Sequence, residues 1–175
     1  MRSLTIFSSP PNIVKEHLGA GKSERLLCYD SDMTLRIGKQ EWDDLRLQGE
    51  KAYPYEGCGV LVGQIDGDVK NVQAIVRCDN QRSDSLHNRY GIDPRDVVRV
   101  QREARKRAQD IIGFYHSHPD HPARWSQTDL AEAHWTTCSY VITSVMGGIA
   151  TQTNSFNLVG EEESKRFEDE EIRVE

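Results

Sequence analysis

The chain lacks several features that mark common protein classes. It has no run approaching ~18 consecutive apolar residues, which argues against a membrane-spanning helix. The opening stretch MRSLTIFSSPPNIVKEHLGAGKSERLL holds one early arginine but no apolar core before Pro10 and Pro11, so no signal peptide is expected. Cysteine is scarce and dispersed: Cys28, Cys58, Cys78 and Cys138 form no C-x-x-C pair. Without an export signal, that usage fits a reduced, cytoplasmic protein. Excess basic charge is also missing, so nothing predicts a nucleic-acid surface. The net charge is -6. Residues 161–175 hold eight acids and three bases and so carry -5 of it; the remainder balances 20 acids against 19 bases. The acidic end is expected to be a solvated helix or a fraying tail.

At 175 residues the chain fits one domain. That length buries about 68–70% of its unfolded surface, enough for one core. Residues 1–32 read as an irregular extension, broken by Pro10-Pro11 and by Gly19 and Gly21. GAGKS there is not a phosphate loop, because position 16 is Glu16 instead of glycine and no strand precedes it. Thr34–Ile37 reads as a short strand. KQEWDDLRLQGEKA, residues 39–52, reads as an amphipathic helix with Trp42, Leu45 and Leu47 toward a core, ended by Pro54. CGVLVGQI and VKNVQAIVRC read as a hairpin turning at Asp66-Gly67. Residues 79–92 read as a polar loop. Asp93-Pro94 opens a second helix, striped by Val97, Val100, Ala104 and Ala108. Its outer face carries Arg95, Arg99, Arg102, Arg105, Lys106 and Arg107, which is either a solvated basic face or a docking surface for an acidic partner. IIGFYH is a strand. A short helix beginning near Ser126 holds Leu130, Ala131, Ala133, His134 and Trp135. SYVITSV and IATQTNSFNLV are strands joined at Gly147-Gly148. The expected fold is α/β, a mixed β-sheet flanked by helices.

The stretch GFYHSHPDHPARWSQTDL, residues 113–130, carries the chemistry. In a strand, residues i and i+2 point to one face, so His116 and His118 converge. Pro119 ends the strand. A third ligand is expected from the next element, and Asp129 sits early in a helix three residues after Ser126. Two imidazoles and a carboxylate, with a fourth position open, suit catalytic zinc. HSHPDH also matches the H-x-H-x-D-H signature of the metallo-β-lactamase fold. That fold needs further histidines well downstream, and only His134 follows His121. Ser126 has an ordinary reading as a helix cap in S-x-x-D. A serine so held is also placed to donate a hydrogen bond to a substrate oxygen.

His116-x-His118-Pro119, then Ser126-x-x-Asp129, resembles the JAMM motif of the MPN+ metallopeptidases. The glycine-punctuated EGCGVLVG at residues 56–63 supplies the upstream glutamate of that family. The similarity covers about residues 33–160, leaving residues 1–32 and the acidic tail 161–175 outside. It implies a single MPN (JAB1/MPN-like) domain over 33–160, with His116, His118 and Asp129 holding Zn2+. It implies Glu56 as the base that takes a proton from the attacking water and passes it to the leaving amine. Ser126 would stabilise the oxyanion. MPN– scaffolds lack these ligands, whereas this chain has the full set. Trp125 stands where many relatives have proline before the serine. Cys58, two residues after Glu56, is either a small buried residue or a regulatory thiol ligand. His17, His87, His121 and His134 have no matching role.

The family resemblance also bears on substrate. Its members cut peptide or isopeptide bonds after the tails of ubiquitin-like proteins. Here Gly147-Gly148 follows SYVITSV almost at once, leaving no room for the inserted segments of large eukaryotic members. A compact chain of this kind resembles the prokaryotic branch, and the implied partner is the C-terminal Gly-Gly tail of a ubiquitin-like sulfur-carrier protein. The alternatives are an isopeptidase removing ubiquitin-like modifiers from lysines, and a non-catalytic module that binds such a tail. Neither nucleic acid nor membrane is expected as a partner.

Overall fold

The structure is a computed structural model that describes residues 33–81, 90–161 and 163–175. The irregular extension expected over residues 1–32, and most of the polar loop, lie outside the described residues. Residues 31–175 cluster as one compact unit. The elements run β1 (Thr34–Ile37), α1 (Lys39–Ala52), β2 (Cys58–Asp66), β3 (Val69–Cys78), α2 (Pro94–Arg105), β4 (Asp110–Pro119), α3 (Gln127–Glu132), β5 (Ser139–Met146), β6 (Ile149–Val159) and β7 (Arg166–Val174).

The seven strands close into a barrel in the order β1-β3-β2-β4-β5-β6-β7. Pairing is mixed: β1 runs parallel to both β3 and β7, β4 runs parallel to β5, and the other pairs are antiparallel. The expected mixed α/β content is present, but the sheet closes on itself instead of remaining open between helices. Closure comes from β7. The acidic end is therefore not a solvated helix or a fraying tail: residues 166–174 pair with β6 on one side and β1 on the other. Its buried positions are Phe167 and Glu170. Glu170 is tolerated inside because Lys70 Nζ meets its Oε1 at 2.9 Å, and both side chains are fully buried. Lys70 also donates to Asn157 Oδ1 at 2.8 Å and Ser139 Oγ at 3.1 Å, and Ser155 Oγ donates to Glu170. One lysine thus ties β3, β5, β6 and β7 together across the interior.

Strands β2, β4 and β5 are buried on both faces, which is why they read as continuous apolar runs instead of alternating ones. One face packs Leu35, Ile37, Leu61, Ile112, Tyr115 and Val141 against Leu45 of α1, with Trp42 partly buried beside them. Leu47, expected inward, is 41% exposed. The other face packs Val60, Phe114 and Ile142 against Val100 and Ala104 of α2. Ala108 does not continue the α2 stripe: it lies beyond the helix at φ 54 and is exposed. Asp93 caps α2 by accepting from Arg95 N–H at 2.8 Å, with Pro94 in the first turn. Along its outer face Arg99 pairs with Asp96 and Lys106 with Glu103. The β2–β3 hairpin turns at Gly67, whose φ of 58 explains the glycine.

Candidate metal centre

The centre is built where β4 runs out past β2. In the antiparallel β2–β4 ladder, Cys58 faces His116. One step on, Ser117 N–H donates to the Gly57 carbonyl and Gly57 N–H donates to Ser117 Oγ, each at 2.9 Å. Continuing that register by one residue sets Glu56 opposite His118. Alternation along both strands then puts Glu56, Cys58, His116 and His118 on one face, and Ser117 on the other. Ser117 was not marked by any motif, yet it joins the backbone of the glutamate to the backbone between the two histidines. The adjacent glycine is required by close approach: a Cβ on Gly57 would lie 2.9 Å from Ala52 Cβ of α1.

Asp129 arrives from α3. Ser126 Oγ accepts from Asp129 N–H at 3.1 Å, and the Asp129 carboxylate accepts from Ser126 N–H at 2.6 Å. The capping box expected from S-x-x-D is therefore present. The helix is shorter than expected, ending at Glu132 so that His134 and Trp135 lie beyond it. With only six residues, it depends on its surroundings. The Trp125 ring packs tilted against Phe167 with centroids 5.6 Å apart, and Lys165 Nζ donates to the Ala131 and Ala133 carbonyls at 3.1 and 3.0 Å. Asn154 Nδ2 holds the Ala123 carbonyl at 2.8 Å. The C-terminal strand, taken from sequence to lie outside the domain, thus supports the helix that presents Ser126 and Asp129.

His116 Nε2 lies 3.0 Å from His118 Nε2 and 3.3 Å from Asp129 Oδ1, and His118 Nε2 lies 3.8 Å from Asp129 Oδ2. Zinc–ligand bonds of about 2.0–2.1 Å in a tetrahedron require ligand atoms about 3.3–3.4 Å apart. With one donor atom taken from each residue, the three lie within 4.8 Å of one another, close enough to share one metal ion after small side-chain adjustments. His118 Nδ1 faces the Pro122 carbonyl at 3.0 Å. A proton on Nδ1 satisfies that carbonyl and leaves the Nε2 lone pair for a metal. Burial, with His116 adding to it, lowers His118 to about 4, so the ring is neutral at pH 7. Burial alone would raise Asp129, but hydrogen bonds from His116 and Ser126 hold its carboxyl well below the usual range. His118 as a neutral ring and Asp129 as a carboxylate are therefore in their ligand forms. His116, His118 and Asp129 also form a group able to hold a metal ion.

Glu56 is 5% exposed. Burial pushes its carboxyl up to about 7; His116 opposes the rise, while Asp129 and Glu132 add to it. A carboxyl poised there exchanges protons near neutral pH. Cys58 is buried and its thiol is pushed to about 12, first by burial and then by Cys78 and Glu56. Its sulfur sits 3.7 Å from the Cys78 carbonyl, which fits the small buried residue and not a thiolate ligand. His121 and His134 are exposed, and His17 and His87 lie outside the described residues. Tyr90, which no motif marked, stacks on the His116 ring with centroids 4.4 Å apart and planes inclined by 22°.

The family model for prokaryotic homologues of the JAB domain matches residues 38–159. The chain belongs to the prokaryotic JAB family. This JAB chain is 35% identical to a desampylase of Haloferax volcanii over 94 residues, spanning 54% of the chain and 66% of that relative's length. It also resembles the solution structure of a protein from Desulfitobacterium hafniense at TM-score 0.69 and 26% identity, covering 81% of this chain and 93% of that one. A solution structure from Salinibacter ruber matches at TM-score 0.60 and 36% identity, covering 79% and 91%. The family match stops at β6, whereas the barrel needs β7 to close. Among the described residues, no helix is long and apolar enough to cross a membrane.

Proposed function

We propose that this JAB protein is a zinc-dependent metallopeptidase that hydrolyses the peptide or isopeptide bond after the C-terminal Gly-Gly tail of a ubiquitin-like sulfur-carrier protein. The observation that carries the reading is a buried carboxyl raised to about 7, on the same strand face as His116 and His118, which with Asp129 bring three donor atoms within 4.8 Å of one another. His116 and His118 would hold the ion through Nε2 and Asp129 through its carboxylate. When bound, zinc would supply Lewis acidity toward the scissile carbonyl and the attacking water. Glu56 takes the proton from the water as its oxygen bonds to the carbonyl carbon. It returns that proton to the amine as the C–N bond breaks. Ser126 already uses an oxygen lone pair to accept from Asp129 N–H, so its hydroxyl hydrogen is available to the oxyanion. Its exposure leaves it within reach of a substrate.

The desampylase relative supports a ubiquitin-like modifier as the partner and favours an isopeptide bond to lysine. The competing linkages are separated by offering two substrates to the zinc-loaded protein. One is a ubiquitin-like protein with one residue appended after Gly-Gly, and the other is the same protein joined to a lysine side chain. Cleavage of the first alone identifies a tail-processing peptidase, and cleavage of the second an isopeptidase. Stoichiometric zinc and tail binding with neither bond cut identifies a binding module and overturns the enzymatic reading.

A further inference from the structure

The two histidines are oriented by different means. His118 is fixed by the Pro122 carbonyl at Nδ1. Among the described residues, His116 has no such hydrogen bond: its polar contacts, with His118 and Asp129, are all made by Nε2, the atom that faces the other ligands. A metal-ligating imidazole ordinarily owes its ring orientation to a partner at the far nitrogen. Without one, rotation about the Cβ–Cγ bond would swing Nε2 away from the cluster. What lies against the His116 ring is Tyr90, nearly parallel at 4.4 Å.

Tyr90 is in turn tied to Glu56. Asn80, just past the end of β3, donates from Nδ2 to the Glu56 carbonyl at 3.3 Å. Its Oδ1 accepts from Gly91 N–H at 3.1 Å. Gln81 N–H adds a bond to the Gly91 carbonyl at 2.9 Å. One amide side chain therefore bridges the residue that carries the carboxyl and the residue that follows Tyr90. The N–H of that same Glu56–Gly57 peptide donates to Ser117 Oγ, so both ends of the peptide are held.

We propose that Tyr90 and Asn80 are positioning residues: Tyr90 sets the ring plane of His116 for the metal, and Asn80 locks the Tyr90 segment to the Glu56 backbone. The ligand and the base are then placed by one bracket. The inference rests on the metal-centre reading of His116, His118 and Asp129, and its test separates the two.

The full-length chain is titrated with Co2+, whose visible spectrum reports coordination geometry, and affinity is measured by competition with a chromogenic chelator. Absence of specific Co2+ binding by the wild type overturns the metal-centre reading and this inference with it. Given wild-type binding, Tyr90→Phe keeps the stacked ring and should keep both spectrum and affinity. Tyr90→Leu should alter the spectrum and weaken binding by roughly 10–100-fold, the usual effect of removing an outer-shell partner. Asn80→Ala, at a half-buried position outside the core, should shift both in the same direction and carries the test even if Tyr90→Leu folds poorly. The double variant Asn80→Ala/Tyr90→Leu should be no worse than Tyr90→Leu alone, because both changes free the same ring. Wild-type spectra and affinities in Tyr90→Leu and Asn80→Ala overturn the proposal, as do losses that add in the double variant.

Discussion

Replacing Glu56 by glutamine measures what the fold gives up to hold a carboxyl in the wall of the centre. Glu56 is 5% exposed, and burial raises its pKa from 4.5 to about 7. A raised carboxyl pKa means that the folded protein holds the proton more tightly than the unfolded chain does. Well below pH 4.5 both states are protonated and the group has no effect. As pH climbs from 4.5 through about 7 the folded state loses stability, and above that the loss is complete. At about 1.4 kcal/mol per pH unit, the rise amounts to about 3 kcal/mol at pH 8 and under about 1 kcal/mol at pH 5. Glutamine keeps the shape without the charge. Metal-free Glu56→Gln is therefore expected to be more stable than wild type by about 2–3 kcal/mol at pH 8. That corresponds to a melting temperature roughly 4–12 °C higher, since about 2–4 °C accompanies each kcal/mol in chains of this size. Differential scanning calorimetry in a chelating buffer, stepped from pH 5 to pH 8, follows the gap. Adding zinc should narrow it, because a dication favours the carboxylate over the neutral acid. Equal melting temperatures across the series, or a gap that does not grow with pH, refute the claim that Glu56 is a desolvated acid poised near neutrality.

Three further outcomes follow from the same geometry. Ser126→Ala should retain one equivalent of zinc by elemental analysis while its rate falls by roughly 10²–10³. The lost cap should lower stability by about 1 kcal/mol, and undiminished activity would remove Ser126 from the mechanism. His118→Ala should abolish stoichiometric zinc, because it deletes the ligand whose tautomer is set by Pro122; full zinc occupancy would contradict the ligand set. Lys70→Met strands Glu170 inside the barrel, and breaking a buried pair in this way costs about 3–5 kcal/mol. Urea unfolding should show that loss, and Lys70→Met/Glu170→Leu should recover part of it. A neutral single substitution would mean that the interior pair does not hold the barrel closed.

Where a signal is local, the chain shows it plainly. Lys39–Ala52 is a helix over its whole expected span because Trp42 and Leu45 recur on one side. The β2–β3 hairpin turns where Asp66-Gly67 allows a positive φ. His116 and His118 share a face because a strand repeats every two residues, and the S-x-x-D box forms because both partners lie within one turn. What stayed hidden depends on partners far away in the chain. β7 reads as a charged tail because one of its two buried residues is Glu170, and its counter-charge, Lys70, is 100 positions earlier. The barrel's closure went with it, since β1 gains its second neighbour only from β7. Ser117, Asn80 and Tyr90 belong to no motif. Each matters through a tertiary contact, to Gly57, to the Glu56 carbonyl and to His116 respectively. Trp125, which stands where many relatives have proline, packs its ring against Phe167 of β7.

The most direct test of the account is intact-mass spectrometry of a ubiquitin-like sulfur carrier bearing one extra residue after Gly-Gly. It is incubated with the zinc-loaded protein and, in parallel, with zinc-loaded Glu56→Gln. The wild type should remove that residue, and the variant, with zinc bound, should leave it in place. Removal by both would contradict Glu56 as the base, and removal by neither, with zinc bound in each, would contradict the proposed tail-processing activity.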